Sequence, residues 1–159
     1  AAEKGRRLKR APYRRILVPT DGSRAAAKGV KAGVALARAL GARVEGLYVA
    51  PKESALQYGA AAVYGARVVL GHVEDLAVEQ AKEALGAIQR AARYAGVRCS
   101  LSILADDRPW KAILRAARQR KCDLIVMGSR GRRSLGAVLF GGETARVLSK
   151  AKIPVLVLP

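Results

Sequence analysis

Four glycines set the chemistry that this sequence can offer: Gly128, Gly131, Gly141 and Gly142, spaced as G-x2-G-x9-G-G. They follow the apolar run Leu124–Met127 and precede a short helical pattern, so they read as a loop at the carboxyl end of a buried strand. Glycine there lets the backbone take φ > 0 and lets a ligand approach main-chain N–H groups unhindered. A phosphate is the ligand such a surface suits best. A second apolar run, Arg15–Pro19, ends in Pro19-Thr-Asp-Gly-Ser23, a turn carrying the carboxylate of Asp21. Asp21 has a competing reading as a capping residue of the next helix, for which Ser23 is the candidate N-cap.

Other phosphate and nucleophile motifs are missing. Gly131–Gly136 and Gly136–Gly141 are followed by Ala137 and Gly142, so neither is a Walker loop, and no G-x-G-x-x-G follows a strand. No G-x-S-x-G occurs, and a single histidine, His72, argues against a Ser-His-Asp triad. Cys99 and Cys122 are too few for a disulfide framework or a zinc site, and they read as small buried apolar residues. Phosphoryl transfer needs a positioned nucleophile and its metal ligands. Asp21 could meet a Mg2+ that bridges phosphates, but no second carboxylate or base has a clear place, so at most slow hydrolysis is expected.

The elements that must hold these loops alternate in type. Strands are expected at Arg15–Pro19, Arg43–Val49, Val97–Leu104, Asp123–Met127 and Ile153–Leu158. Helices are expected between them. The first carries Ala27, Val30, Val34 and Ala37 on one face and stops at Gly41. The second, Glu74–Ala95, buries Ala77, Ala81, Ala84, Leu85, Ile88, Ala91 and Ala95 and ends at Gly96. The third starts at an acidic cap, Asp106-Asp107, before Pro109, with Trp110, Ile113, Leu114 and Ala117 inward. Gly142–Lys150 is the last. Pro51–Leu70 has no firm period and reads as a mobile loop or partly helical lid. This order specifies an α/β fold: one doubly wound domain, residues 13–159, with a five-stranded parallel sheet, after a basic tail at residues 1–12. In such sheets ligands sit beyond the strands' carboxyl ends where the strand order reverses. Both unusual loops lie at such ends.

The glycine pattern, the block ILVPTDGS (Ile16–Ser23) and the closing IPVLVLP (Ile153–Pro159), in this order, resemble the universal stress protein family from Arg14 onward. The resemblance implies a Rossmann-like domain of the adenine-nucleotide alpha hydrolase kind. It also implies binding of ATP or a related adenine nucleotide, with Asp21 matching the family aspartate that lies by the nucleotide. Carried over by position, Gly128, Gly131, Gly141 and Gly142 would line the phosphates. Val49 and Met127 would contact adenine and ribose, for which the competing reading is plain core. Pro19, Thr20, Asp21, Arg130, Glu143 and Thr144 complete the implied set. The family pattern ends G-[ST], whereas Gly142 here lacks the hydroxyl. Such a bond to a charged group is worth about 1.5–3 kcal/mol, or roughly 10- to 150-fold in affinity. Thr144, and the cations Arg130, Arg132 and Arg133, are candidates to compensate. A member that binds no nucleotide is the alternative. The resemblance further implies a homodimer formed by the last strand, through Ile153, Val155 and Val157. The role implied is regulatory, in stress response or signalling, through a protein partner the sequence does not name. A flavoprotein relationship is disfavoured by chain length.

Composition bounds the rest. Thirty Lys and Arg against 12 Asp and Glu give a net charge of +18, which suits either nucleic acid bound to a basic surface or an arginine-rich, thermophilic proteome. A hydrophobic fraction of 51% with 26% charged residues is globular, and no apolar run reaches the roughly 20 residues that span a bilayer. The basic opening lacks a following segment of signal-peptide length, so no membrane association and a cytoplasmic location are expected.

Overall fold

The computed structural model describes residues 12–52, 76–130 and 140–159. Residues 1–11 of the tail, most of Pro51–Leu70, His72, Gly131, Arg132 and Arg133 lie outside the described residues.

Five parallel strands form one sheet: β1 (Arg15–Pro19), β2 (Arg43–Ala50), β3 (Cys99–Ala105), β4 (Leu124–Gly128) and β5 (Val155–Leu158). Their spatial order is β3-β2-β1-β4-β5. β1 sits at the centre, with Ile16 beside Val44 on one flank and Leu124 on the other. Helices α1 (Arg24–Leu40) and α2 (Leu76–Tyr94) pack together on one face, and α3 (Pro109–Gln119) and α4 (Gly142–Lys150) on the other. This is the doubly wound α/β arrangement that the alternation of elements specifies.

Strand alternation sorts the core into two layers. Ile16, Val18, Val44, Ile103 and Val126 join Val30, Val34 and Ile88 beneath α1 and α2. Leu17, Leu47, Ile125 and Met127 join Ile113, Ala116 and Val147 beneath α3 and α4. With both faces covered, the strands must be apolar throughout, which is why β1 and β4 read as unbroken hydrophobic runs.

α1 departs from the expected stripe. Ala27 is exposed, and the helix buries Ala26, Gly29, Val30, Gly33, Val34 and Ala37. The inward face is set by glycines, which hydrophobic periodicity does not mark. A Cβ on Gly29 would lie 2.8 Å from the Gly128 nitrogen, and one on Gly128 would lie 2.3 Å from the Ala25 carbonyl oxygen. α1 therefore rests directly on the backbone at the end of β4.

Other boundaries shift slightly. Ala92, outside the expected face, is fully buried in α2 beside Ala81, Ala84, Leu85 and Ile88. β3 begins at Cys99 and β5 at Val155, two residues later than their apolar patterns suggest. Cys122 is buried and Cys99 half-buried. Burial, then the charge of Glu45, pushes the Cys99 thiol up to about 11. The same two causes push the Cys122 thiol up to about 12. Neither is a thiolate at neutral pH.

Candidate functional site

The carboxyl ends of β1 and β4 are adjacent, yet the chain leaves them toward opposite faces. From β1 it passes to α1, and from β4 to α4. This divergence is the reversal point at which open α/β sheets hold ligands.

At the end of β1, the Thr20 N–H donates to the Leu47 carbonyl at 2.9 Å, keeping the chain on the sheet for one residue past the strand. The turn that follows is built from its own side chains. Gly22 N–H donates to Thr20 Oγ1 at 3.1 Å, and Ser23 N–H to Asp21 Oδ1 at 2.9 Å. Ser23 then caps α1 by accepting the Ala26 N–H at 3.1 Å. The helix cap is thus Ser23, and Asp21 shapes the turn before it. Gly22 has φ 78°, the left-handed value such a turn requires.

At the end of β4, Gly128 and Ser129 are buried. Ser129 is where the glycine loop both leaves and returns. Its N–H donates to the Leu158 carbonyl at 2.7 Å, and its carbonyl accepts the Gly141 N–H at 2.8 Å. Gly141 is the N-cap of α4 and brings no side-chain acceptor. The N–H groups of Gly142, Glu143 and Thr144, in the first turn, have no partner within the helix. They sit at its positive end, worth about half a charge. Among the described residues, a Cβ at Gly142 would meet nothing within 4 Å, which leaves room there for a Ser or Thr side chain.

Two side chains of that first turn have structural tasks. Thr144, 2% exposed, donates its hydroxyl to the Gly128 carbonyl at 3.2 Å, tying α4 to the strand before the loop. Glu143 accepts the Trp110 N–H at 2.7 Å and pairs with Arg146 at 3.0 Å. Its carboxylate therefore serves the start of α3, whose own N-cap, Arg108, makes no side-chain cap bond. The acidic cap expected from Asp106 and Asp107 is accordingly supplied from another helix. Asp106 instead accepts the Arg108 N–H at 3.1 Å and pairs with Arg115 at 3.3 Å, and Asp107 accepts the Lys52 N–H at 3.0 Å. Burial pushes the Asp106 carboxyl up, but the Arg108 N–H and the charges of Arg115, Lys52 and Arg108 outweigh it and hold it below the usual value. No local sequence pattern marks the Glu143–Trp110 bond, whose partners are 33 residues apart. Trp110, the single tryptophan, has Lys111 and Lys150 at 5.4 and 5.5 Å from its ring centre.

Val49 and Met127 lie one residue from the ends of β2 and β4 and share the α3–α4 face with Pro19, whose register partner is Leu47. Met127 is 7% exposed and Val49 half-buried. Arg130 is exposed at the loop's start. The candidate residues on the described chain thus converge from three strand ends and one helix start. Among the described residues, the groove of about 680 Å³ between α1 and α2 shares only Thr20 with that set, and Gly22 and Ser23 of the same turn also line it. Its walls combine Ala and Val with Lys31, Arg38, Gln80, Glu83 and Arg90 along the two helices.

β5 forms one edge of the sheet. The carbonyls of Pro154 and Leu158 accept from Ile125 and Ser129, so alternation turns the backbone groups of Val155 and Val157 outward. Their side chains, with Ile153, pack against the α3–α4 core, while Leu156 is 41% exposed. Among the described residues, no cluster of His, Cys, Asp or Glu could hold a metal by itself, and no helix is long and apolar enough to cross a membrane.

Known proteins share both sequence and fold with this chain. A universal stress protein of Methanocaldococcus jannaschii is 30% identical over 146 residues, spanning 92% of this chain and 82% of that one. One from Thermus aquaticus is 32% identical over 148 residues, spanning 92% and 98%. Among solved structures, that of the M. jannaschii protein MJ0577 superimposes with a TM-score of 0.72 at 26% identity, covering 92% and 95% of the two chains. An Archaeoglobus fulgidus universal stress protein, solved in complex with dAMP, gives 0.65 at 21% identity, covering 92% and 98%. Residues 12–159 match the profile of the universal stress protein family, and the chain belongs to that family.

Proposed function

We propose that this protein binds ATP or a related adenine nucleotide at the divergence of β1 and β4. The phosphates lie against the N–H groups of the Gly128–Gly142 loop and of the first turn of α4. Asp21 faces a Mg2+ carried by the phosphates, and Val49 and Met127 border adenine and ribose. The strand order carries this reading, because it gathers the Pro19–Ser23 turn and the glycine-capped start of α4 at one point. Relatives solved with cAMP and with dAMP support an adenine nucleotide as the ligand class. The role is regulatory, in stress response within the cytoplasm: occupancy of the loop alters contacts with another protein. Slow hydrolysis is the most chemistry the site supports.

Calorimetry with MgATP at moderate salt tests the reading. One saturable site per chain is expected, lost when Gly131 becomes Val. Absence of heat in the wild-type protein would overturn it. The same reading pairs β5 with its copy in a homodimer. Val157→Pro deletes an outward N–H without touching the β4 ladder, and sedimentation velocity should then report a monomer. An unaltered sedimentation coefficient would remove β5 from the interface.

A further inference from the structure

The amino ends of the strands hold a second concentration of charge that the nucleotide reading does not use. Glu45, 4% exposed, lies on the α3 face of β2. Its Oε1 is 3.9 Å from Arg15 Nε and 3.8 Å from Arg43 Nε, and its Oε2 accepts from Arg120 Nη1 at 3.3 Å. Arg15 and Arg43 are register partners on β1 and β2, while Arg120 is the C-cap of α3. A further bond from Arg15 Nη1 to the Arg120 carbonyl ties strand to helix. Three guanidinium groups from three elements therefore converge on one carboxylate.

The cluster is over-charged. Three cations and Glu45 sum to +2. Asp123, whose carboxylate accepts the N–H groups of Arg14 and Arg15 at 2.9 and 3.0 Å on the chain entering β1, lowers that excess to +1 and leaves the cluster positive. The donors also outnumber their acceptors. Arg43 Nε is buried and, among the described residues, has no hydrogen-bond partner, since the nearest Glu45 oxygen lies beyond bonding reach. Buried donors are normally satisfied, and an exception calls for an unaccounted acceptor. The three arginine side chains are nevertheless 32%, 37% and 29% exposed, so a solute ion can reach them.

We propose that Arg15, Arg43 and Arg120 form a binding site for a phosphate-sized oxyanion, with Glu45 holding the three guanidiniums in place. An oxyanion answers the positive excess of the cluster, and its oxygens suit the planar donor fork of arginine. Free phosphate and a phosphate monoester share this chemistry. The site is separate from the glycine loop: β2 alone spans roughly 23 Å from Arg43 to Ala50 at about 3.3 Å per residue. It does not depend on the nucleotide reading.

The test is a titration of the full chain with inorganic phosphate, following arginine Nε–Hε signals by NMR at ionic strength held constant with chloride. The Arg43 signal should shift saturably. Arg43→Gln should weaken phosphate binding roughly tenfold, while Arg118→Gln, an exposed arginine of α3 outside the cluster, should leave it unchanged. The second variant separates a site from the general attraction of a chain of charge +18. Methyl phosphate, titrated in parallel, tells a monoester site from one for the free ion. An Arg43 signal that stays still, or that chloride moves equally, overturns the proposal, as does equal weakening by Arg118→Gln. The wild-type titration decides even if Arg43→Gln fails to fold.

Discussion

The two ends of the sheet offer positive potential by opposite means. At the carboxyl end the donors are backbone N–H groups at the start of α4, shaped by glycines and the Asp21 turn. At the amino end they are guanidiniums of Arg15, Arg43 and Arg120 gathered around buried Glu45. A backbone site depends on close approach and on a fixed helix start, so the packing beneath it matters most. A side-chain site depends on charge balance.

The largest expected effect follows from that packing. Gly128→Ala places a methyl 2.3 Å from the Ala25 carbonyl oxygen, and only movement of α1 off β4 relieves it. Overpacking usually costs 1–3 kcal/mol, and against rigid backbone a loss of about 3 kcal/mol is expected in urea unfolding. At the opposite end, Glu45→Gln leaves three guanidiniums without a counter-charge. Loss of one partner from a buried pair is strongly destabilising, and with arginines about one third exposed the expected loss is about 2 kcal/mol. A stability unaffected by Glu45→Gln would break the contrast between the two ends.

Smaller changes sharpen it. Gly142→Ser adds a hydroxyl in open space at the first helical position, so unfolding should be unaltered while adenine-nucleotide affinity rises roughly tenfold. Thr144→Val removes the hydroxyl bonded to the Gly128 carbonyl and should cost about 1 kcal/mol. The weakest effect concerns Asp106. Its carboxyl is held below the usual value, so the folded state favours its ionised form. That stabilisation is present above about pH 4, the unfolded value, and is lost as pH falls through the folded one. Asp106→Asn should flatten that part of the acid limb of an unfolding-versus-pH curve.

What the sequence made legible was local. The glycine spacing, the PTDGS turn and the alternation of apolar runs with helical faces lie within short windows, and each reflects a backbone demand at that point in the chain. They led to the parallel sheet and to both loops of the candidate site. The features that were not legible join residues far apart. Glu143 caps α3 through Trp110, 33 residues earlier, and the cluster at the amino end joins Arg15 to Arg120 across 105. Gly128 shows a third case. Its place in the loop pattern was readable, yet its contact with Ala25 and Gly29 means that helix packing alone already demands glycine there. Ala26 replaced Ala27 on the buried face of α1 for the same reason, since glycine carries no hydrophobic signal.

One spectrum can examine both ends at once. In a ¹H–¹⁵N titration with MgATP, the amides of Thr20–Ser23 and Gly141–Thr144 should shift together and saturate, and should saturate at lower concentration in Gly142→Ser. If those amides stay unmoved while the signals of Arg15, Arg43 and Arg120 respond, the nucleotide is not held at the divergence of β1 and β4.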